Sequence, residues 1–144
     1  MDVYGALPDA RTNIAQMSRI ACRAVIAPAE PGGWPSAWRQ AVAARICSLH
    51  GQEGLAQAYL AGVETVTAVL ADPAHGGRDA RETVVLAFVD RTATVPRQIG
   101  AEDIRKLQSA GIGDADIVRL CELAAYLAYE CRVSAGLSLL REAG

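Results

Sequence analysis

A periodicity restricts this chain most. Apolar residues recur at three- and four-residue spacing along nearly its whole length, and the alternation expected of strands is almost absent. The breaks are Pro28, the run PAEPGGWP at 28–35 and the run DPAHGGR at 72–78. Between them, Arg11 to about Ala27 carries Ile14, Met17, Ala21, Ala24 and Val25 as one helical stripe. Ser36 has the character of an N-cap for a helix with Trp38, Val42, Ile46 and Leu49 on one face, and Gly51 is its C-terminal stop. A third helix is expected from Gln52 to about Ala71, with Leu55, Tyr59, Val63, Val66 and Leu70 inward, closed by Asp72-Pro73. A fourth runs from Asp79 to about Thr92 around Val84, Leu86, Phe88 and Val89. A fifth spans about Ala101–Ala110 with Ile104 and Leu107 inward, and ends at Gly111. Asp114 is expected to cap the last and longest, which turns Ile117, Leu120, Ala124, Leu127, Cys131 and Leu137 inward. The spacing predicts an all-α bundle of about six helices in one domain over 1–144, with residues 1–10 loosely packed.

Composition fits that bundle. Hydrophobic residues make up 51% of the 144 and aromatics only 5%, so the core must be Ala, Leu, Val and Ile in closely packed helices. The formal net charge is −2, and all but one of the fourteen basic residues are Arg, dispersed rather than clustered. Nothing in that pattern draws nucleic acid or an anionic membrane. No apolar run approaches the roughly 20 residues of a membrane span. The opening MDVYGALPDARTN lacks the basic-then-apolar order of a secretory signal, so a cytoplasmic location is expected.

Cys22, Cys47, Cys121 and Cys131 form no CxxC. On one helix, Cys121 and Cys131 would stand about 15 Å apart, too far to bridge. The four are expected to act as small buried hydrophobes in a reducing compartment. With His50 and His75 alone, and no HxxxH, neither a metal site nor a cofactor is expected. His75, in AHGGR, belongs to a solvated loop.

Two stretches carry a resemblance. They are WRQAVAARICSLHGQEGLAQAY at 38–59 and VLAFVDRTATVPRQIGAEDIRKLQSAGIGDADIVRLCELAAYLAYECRVSAGLSLL at 85–140. Together they make the chain similar to the carboxymuconolactone decarboxylase, or AhpD-like, superfamily, and to a subgroup of it encoded beside an alkylhydroperoxidase-domain protein and a luciferase-like flavin monooxygenase. The resemblance implies an all-helical fold and a homo-oligomer, often a trimer or hexamer, with an alkylhydroperoxidase-like protein as a potential partner. It also implies where redox chemistry would sit. The family reduces peroxides with a Glu, a CxxC and a His. Here Gln40 stands in the place of the Glu, Gln52 and Leu55 in the places of the two cysteines, and Tyr59 in that of the His. The surrounding Arg45, Leu49 and Gly51 match comparable family residues. An amide is no thiolate nucleophile and a leucine cannot resolve a sulfenic acid, so the chain is not expected to be a CxxC-dependent alkylhydroperoxidase.

Three readings stay open. In the first, Gln40, Gln52, Leu55 and Tyr59 line the former active-site pocket, which now binds, and in one version converts, a small organic molecule. In the second, the chain is a pseudoenzyme or structural subunit, its polar groups satisfying one another. In the third, thiol chemistry has moved to Cys47, which shares a helix face with His50 at i and i+3. Glu53 is a further candidate base, though at a helix start it also complements the dipole. Tyr126, Tyr129, Glu130 and Arg132 form a second polar cluster on an otherwise apolar helix; Glu130 and Arg132 do not face each other and should each find a partner elsewhere. The apolar run LAAYLAY in that helix exceeds what one buried side needs, which argues for self-association.

Overall fold

In a computed structural model that describes residues 1–144, the chain forms seven α-helices and four short 3-10 turns, with no strand. The helices are α1 (Thr12–Ile26), α2 (Ser36–Leu49), α3 (Glu53–Leu60), α4 (Thr65–Ala68), α5 (Ala80–Thr94), α6 (Ala101–Ser109) and α7 (Asp114–Ala143). The all-α expectation holds. No helix is long and apolar enough to cross a membrane.

The middle helix organises the rest. Residues 41–47 of α2 are all buried, and the helix packs against α1, α3, α5, α7 and the turn Val69–Ala71. Its expected single inner face is thus too narrow a description. Ala41, Ala43 and Ala44 leave room for neighbours to approach on sides a larger residue would hold open. Gly51, at φ +70°, ends the helix: the Gln52 N–H reaches back to the Cys47 carbonyl at 2.9 Å, a left-handed stop that a side chain would strain.

The third helix differs from its expected course. It ends at Leu60, and Gly62, at φ +79°, turns the chain before α4 and the 3-10 turn Val69–Ala71. The following Val63, Thr65, Val66 and Thr67 are β-branched and hold a helix poorly. Val66, placed inward by periodicity, is exposed.

The first helix shows another face than expected. Ala15, Ser18 and Ile26 are buried, with Cys22 and Val25 half-buried beside them, while Ile14, Met17 and Ile20 are exposed, Met17 by 64%. The first ten residues, expected to be loose, bury Val3 and Tyr4 in a 3-10 turn, and Asp2 pairs with Arg19 at 2.6 Å. Among the caps, Asp79, expected as the first residue of its helix, is instead its N-cap and accepts the Glu82 N–H at 2.8 Å. Ser36 instead opens α2 itself and donates to the Ile26 carbonyl, and Asp114 accepts from Gln108.

Two buried arginines on α2 fasten the loops. Arg45, 2% exposed, forms a two-pronged ion pair with Asp90 of α5 at 2.6 and 2.7 Å, and also donates to the carbonyls of Leu70, Asp72, Pro73 and His75. Arg39 donates to the carbonyls of Val25, Pro31 and Trp34. Replacing Arg45 by Met keeps much of its stem but leaves Asp90 and four carbonyls without their donor. Arg45→Met should lose about 3–5 kcal/mol of stability in chemical denaturation, far more than an exposed Arg→Met change such as Arg141→Met.

Candidate functional site

The polar residues singled out in the sequence do not all meet. Gln52 is half-buried just ahead of α3, and its Oε1 accepts from Ser134 Oγ of α7 at 2.9 Å. Leu55 is a core residue, and Gln40 is half-buried on α2. None of these, nor His50, lines any of the five principal cavities. Glu53 is exposed and accepts from Ser48. Arg132 is exposed and lies on the His50 side of α7, where its charge, after burial, helps push the His50 pKa below its ordinary value. The His50 Nε2 atom is buried with no hydrogen-bond partner.

Tyr59 is the exception. One further turn along α3, its hydroxyl donates to Glu130 Oε2 of α7 and lies 3.7 Å from Cys22 Sγ of α1. Two groups that were separate in the sequence, Tyr59 and the Tyr126–Glu130 cluster, therefore form one. Tyr126 sits one turn before Glu130 on α7, and its hydroxyl shares a hydrogen bond with Tyr4 at 2.8 Å. Tyr129 bonds Ser18 of α1 at 2.8 Å and stacks on Tyr4. The result is a set of three phenols, buried Tyr4 and Tyr126 and half-buried Tyr59, beside one carboxyl that is 4% exposed.

The set is not sealed. Glu130 forms part of the wall of a cavity of about 410 Å³, together with Tyr4, Cys22, Arg19, Arg23 and the first residues of the chain. Arg19 there is tied to Asp2, while Arg23 makes no ion pair. Tyr4, Cys22 and the two arginines were not singled out from the sequence. A signal existed: Ala15, Ser18, Cys22 and Ile26 also recur at helical spacing, as a line of mostly small residues that the bulkier Ile14–Met17 stripe outweighed.

Electrostatics favour the neutral acid at this point. Burial raises the Glu130 carboxyl above the ordinary glutamate value of 4.5, and hydrogen bonds from Tyr59 and Tyr126 offset this only in part. Burial likewise raises the Tyr59 phenol, with the Glu130 charge adding to it. Between the unfolded and folded values of Glu130, the folded chain holds a proton that the unfolded chain has released, so stability declines as pH rises through that window. Glu130→Gln has no such proton. In denaturation at stepped pH from about 4.5 upward, wild type should lose ground steadily against Glu130→Gln. A pH-independent difference between the two would contradict this assignment.

Among solved structures, the chain is similar to the crystal structure of an uncharacterized peroxidase-related protein from Silicibacter sp. TM1040, with a TM-score of 0.69. The two share 17% identity across 88% of this chain and 69% of that one. No protein-family profile and no curated protein matches the sequence. The likeness establishes the fold: the all-helical architecture expected from the sequence is shared with that protein.

Proposed function

We propose that this protein binds a small organic molecule in the cavity beside Glu130, with no CxxC chemistry. One observation carries this reading: a buried carboxyl, surrounded by phenols and pushed toward its neutral form, contributes to the wall of a cavity of about 410 Å³. That volume falls within the roughly 300–1,000 Å³ of small-molecule sites. A neutral acid there can donate a hydrogen bond, or a proton, to an acceptor on the ligand, and Tyr59 is placed to support the carboxylate left behind. The pocket differs from the one drawn by the family resemblance. Of that set only Tyr59 is connected to it, through its hydrogen bond to Glu130, while Leu55 fills core space and Gln52 is engaged by Ser134.

A thermal-shift screen of small organic acids, phenols and flavins tests this directly. A ligand near saturation should raise the melting temperature by about 5–10 °C. Glu130→Gln should weaken the shift, and Cys22→Phe, which narrows the cavity beside Glu130, should weaken it further. A shift that Cys22→Phe leaves undiminished would place the ligand elsewhere, and a screen with no stabilising compound would remove the reading.

A specific observation favours self-association as well. Ile14, Met17 and Ile20 make an exposed apolar stripe along α1, and Leu139 and Leu140 add exposed apolar surface near the end of α7. Light scattering should give a mass that is a multiple of 15.1 kDa. Met17→Glu combined with Ile20→Glu should reduce it to the single-chain value without loss of helical signal.

A further inference from the structure

Two of the four cysteines meet across the core. Cys47 of α2 and Cys131 of α7 place their sulfurs 3.7 Å apart, in hydrogen-bond contact, although 84 residues separate them in sequence. Both are buried. Cys22 and Cys121 are half-buried, and the structure gives neither a sulfur partner. A disulfide requires its sulfurs at about 2.05 Å, so closure needs a sulfur displacement of under 2 Å, within reach of side-chain rotation and a slight approach of the two helices.

We propose that Cys47 and Cys131 are a dithiol that closes to an intrachain disulfide when the protein meets a two-electron oxidant of the hydroperoxide class. The bridge pins the buried middle helix to the long C-terminal helix beside Glu130. Closure is stoichiometric, one bridge per chain, and involves neither of the positions held by Gln52 and Leu55.

The direction of the chemistry follows from the pair. The hydrogen bond to Cys131, and then burial, push the Cys47 thiol up, whereas the same hydrogen bond lowers Cys131 against the effect of burial. Cys131, whose S–H donates to Cys47 Sγ in the resting pair, is the readier of the two to ionise. The Cys131 sulfur attacks one peroxide oxygen; an S–O bond forms, the O–O bond breaks, and the departing hydroxide takes up the Cys131 proton as water. Cys47 Sγ then attacks the sulfenic sulfur. The S–S bond forms, the S–O bond breaks, and the second hydroxide leaves with the Cys47 proton as water. Two thiols are oxidised and one hydrogen peroxide becomes two waters. Because both sulfurs are buried, the rate follows local opening between α2 and α7 rather than the intrinsic reactivity of a thiolate.

The test uses the full chain and a Cys22→Ser/Cys121→Ser variant, both treated with hydrogen peroxide, unfolded, alkylated and mapped by mass spectrometry. Two of the four wild-type thiols should be lost, both thiols of the variant should be lost, and each chain should be lighter by about 2 Da before alkylation. One cross-linked peptide pair should contain Cys47 and Cys131, and dithiothreitol should restore the free thiols. The oxidised variant should melt several degrees above its reduced form, because the bridge closes a long loop in the unfolded chain. Two free thiols persisting in the variant after oxidation, their loss only as sulfinic acids, or a bridge between two chains would overturn the proposal.

Discussion

The guanidinium of Arg45 is the contact on which the rest of the arrangement depends. A buried cation is costly unless its charge is matched and its donors are used, and this one meets both conditions. Asp90 supplies the opposite charge from α5, and four backbone carbonyls between Leu70 and His75 take the other donor capacity. Those carbonyls belong to the end of the 3-10 turn Val69–Ala71 and the loop after it, where the only backbone donor to any of the four from within the loop is the His75 N–H, to Asp72. One side chain on the middle helix thus holds the irregular segment down and fixes the distance to α5. Arg39 does the same at the start of α2 for the loop after α1, using carbonyls alone. Without a carboxylate partner, its pKa is lowered by burial and then by Arg119. The two arginines explain how a helix with alanines at 41, 43 and 44 can sit in the centre of the molecule. Its apolar surface is small, and its ends are held by donors that long flexible stems carry outward.

Some of this was legible in the sequence. Gly51 and Gly111 end their helices where periodicity and a missing side chain said they would, and α5 starts next to the expected Asp79, which caps it. These are local signals, decided within one turn of chain. The third helix was overestimated because Val63, Val66 and Leu70 keep the apolar spacing while Gly62 and the β-branched run break the backbone that would carry it. In the first helix the apolar periodicity points to the wrong side. Hydrophobic periodicity marks an apolar face without saying whether that face meets the molecule's own core or solvent, and here the bulkier stripe faces out. The inward line is Ala15, Ser18 and Ile26, buried, with half-buried Cys22 between them, and it lets α7 lie close.

The candidate site was half legible for the same reason. Tyr59 and the Tyr126–Glu130 group were each visible as polar residues on apolar helices, yet nothing local joins residues 71 apart. Tyr4 lay in a segment expected to be loose, and it is the burial of that segment over α1 and α7 that completes the phenol set. The pairing of Cys47 with Cys131 was hidden likewise. Spacing excludes a bridge within one helix but is silent about two helices that cross.

Leu55 and Gln52, just after Gly51, restrict where polar chemistry can sit in this part of the fold. Leu55 belongs to the apolar core and turns its stretch of α3 into packing surface, while Gln52 is bound to Ser134 and offers no free acceptor lone pair in that direction. Hydrocarbon at one turn of a helix raises the cost of unmatched polarity nearby, since water is excluded there as well. The next polar group, Tyr59, must therefore be matched from within the protein, and Glu130 matches it. That requirement draws the carboxyl in from α7, raises its affinity for a proton, and leaves it between a packed interior and a cavity. The arrangement is stable while the acid stays neutral or a ligand supplies a partner. A bare carboxylate in the same position would be under-solvated, so ligand binding and proton uptake are expected to be linked at this residue.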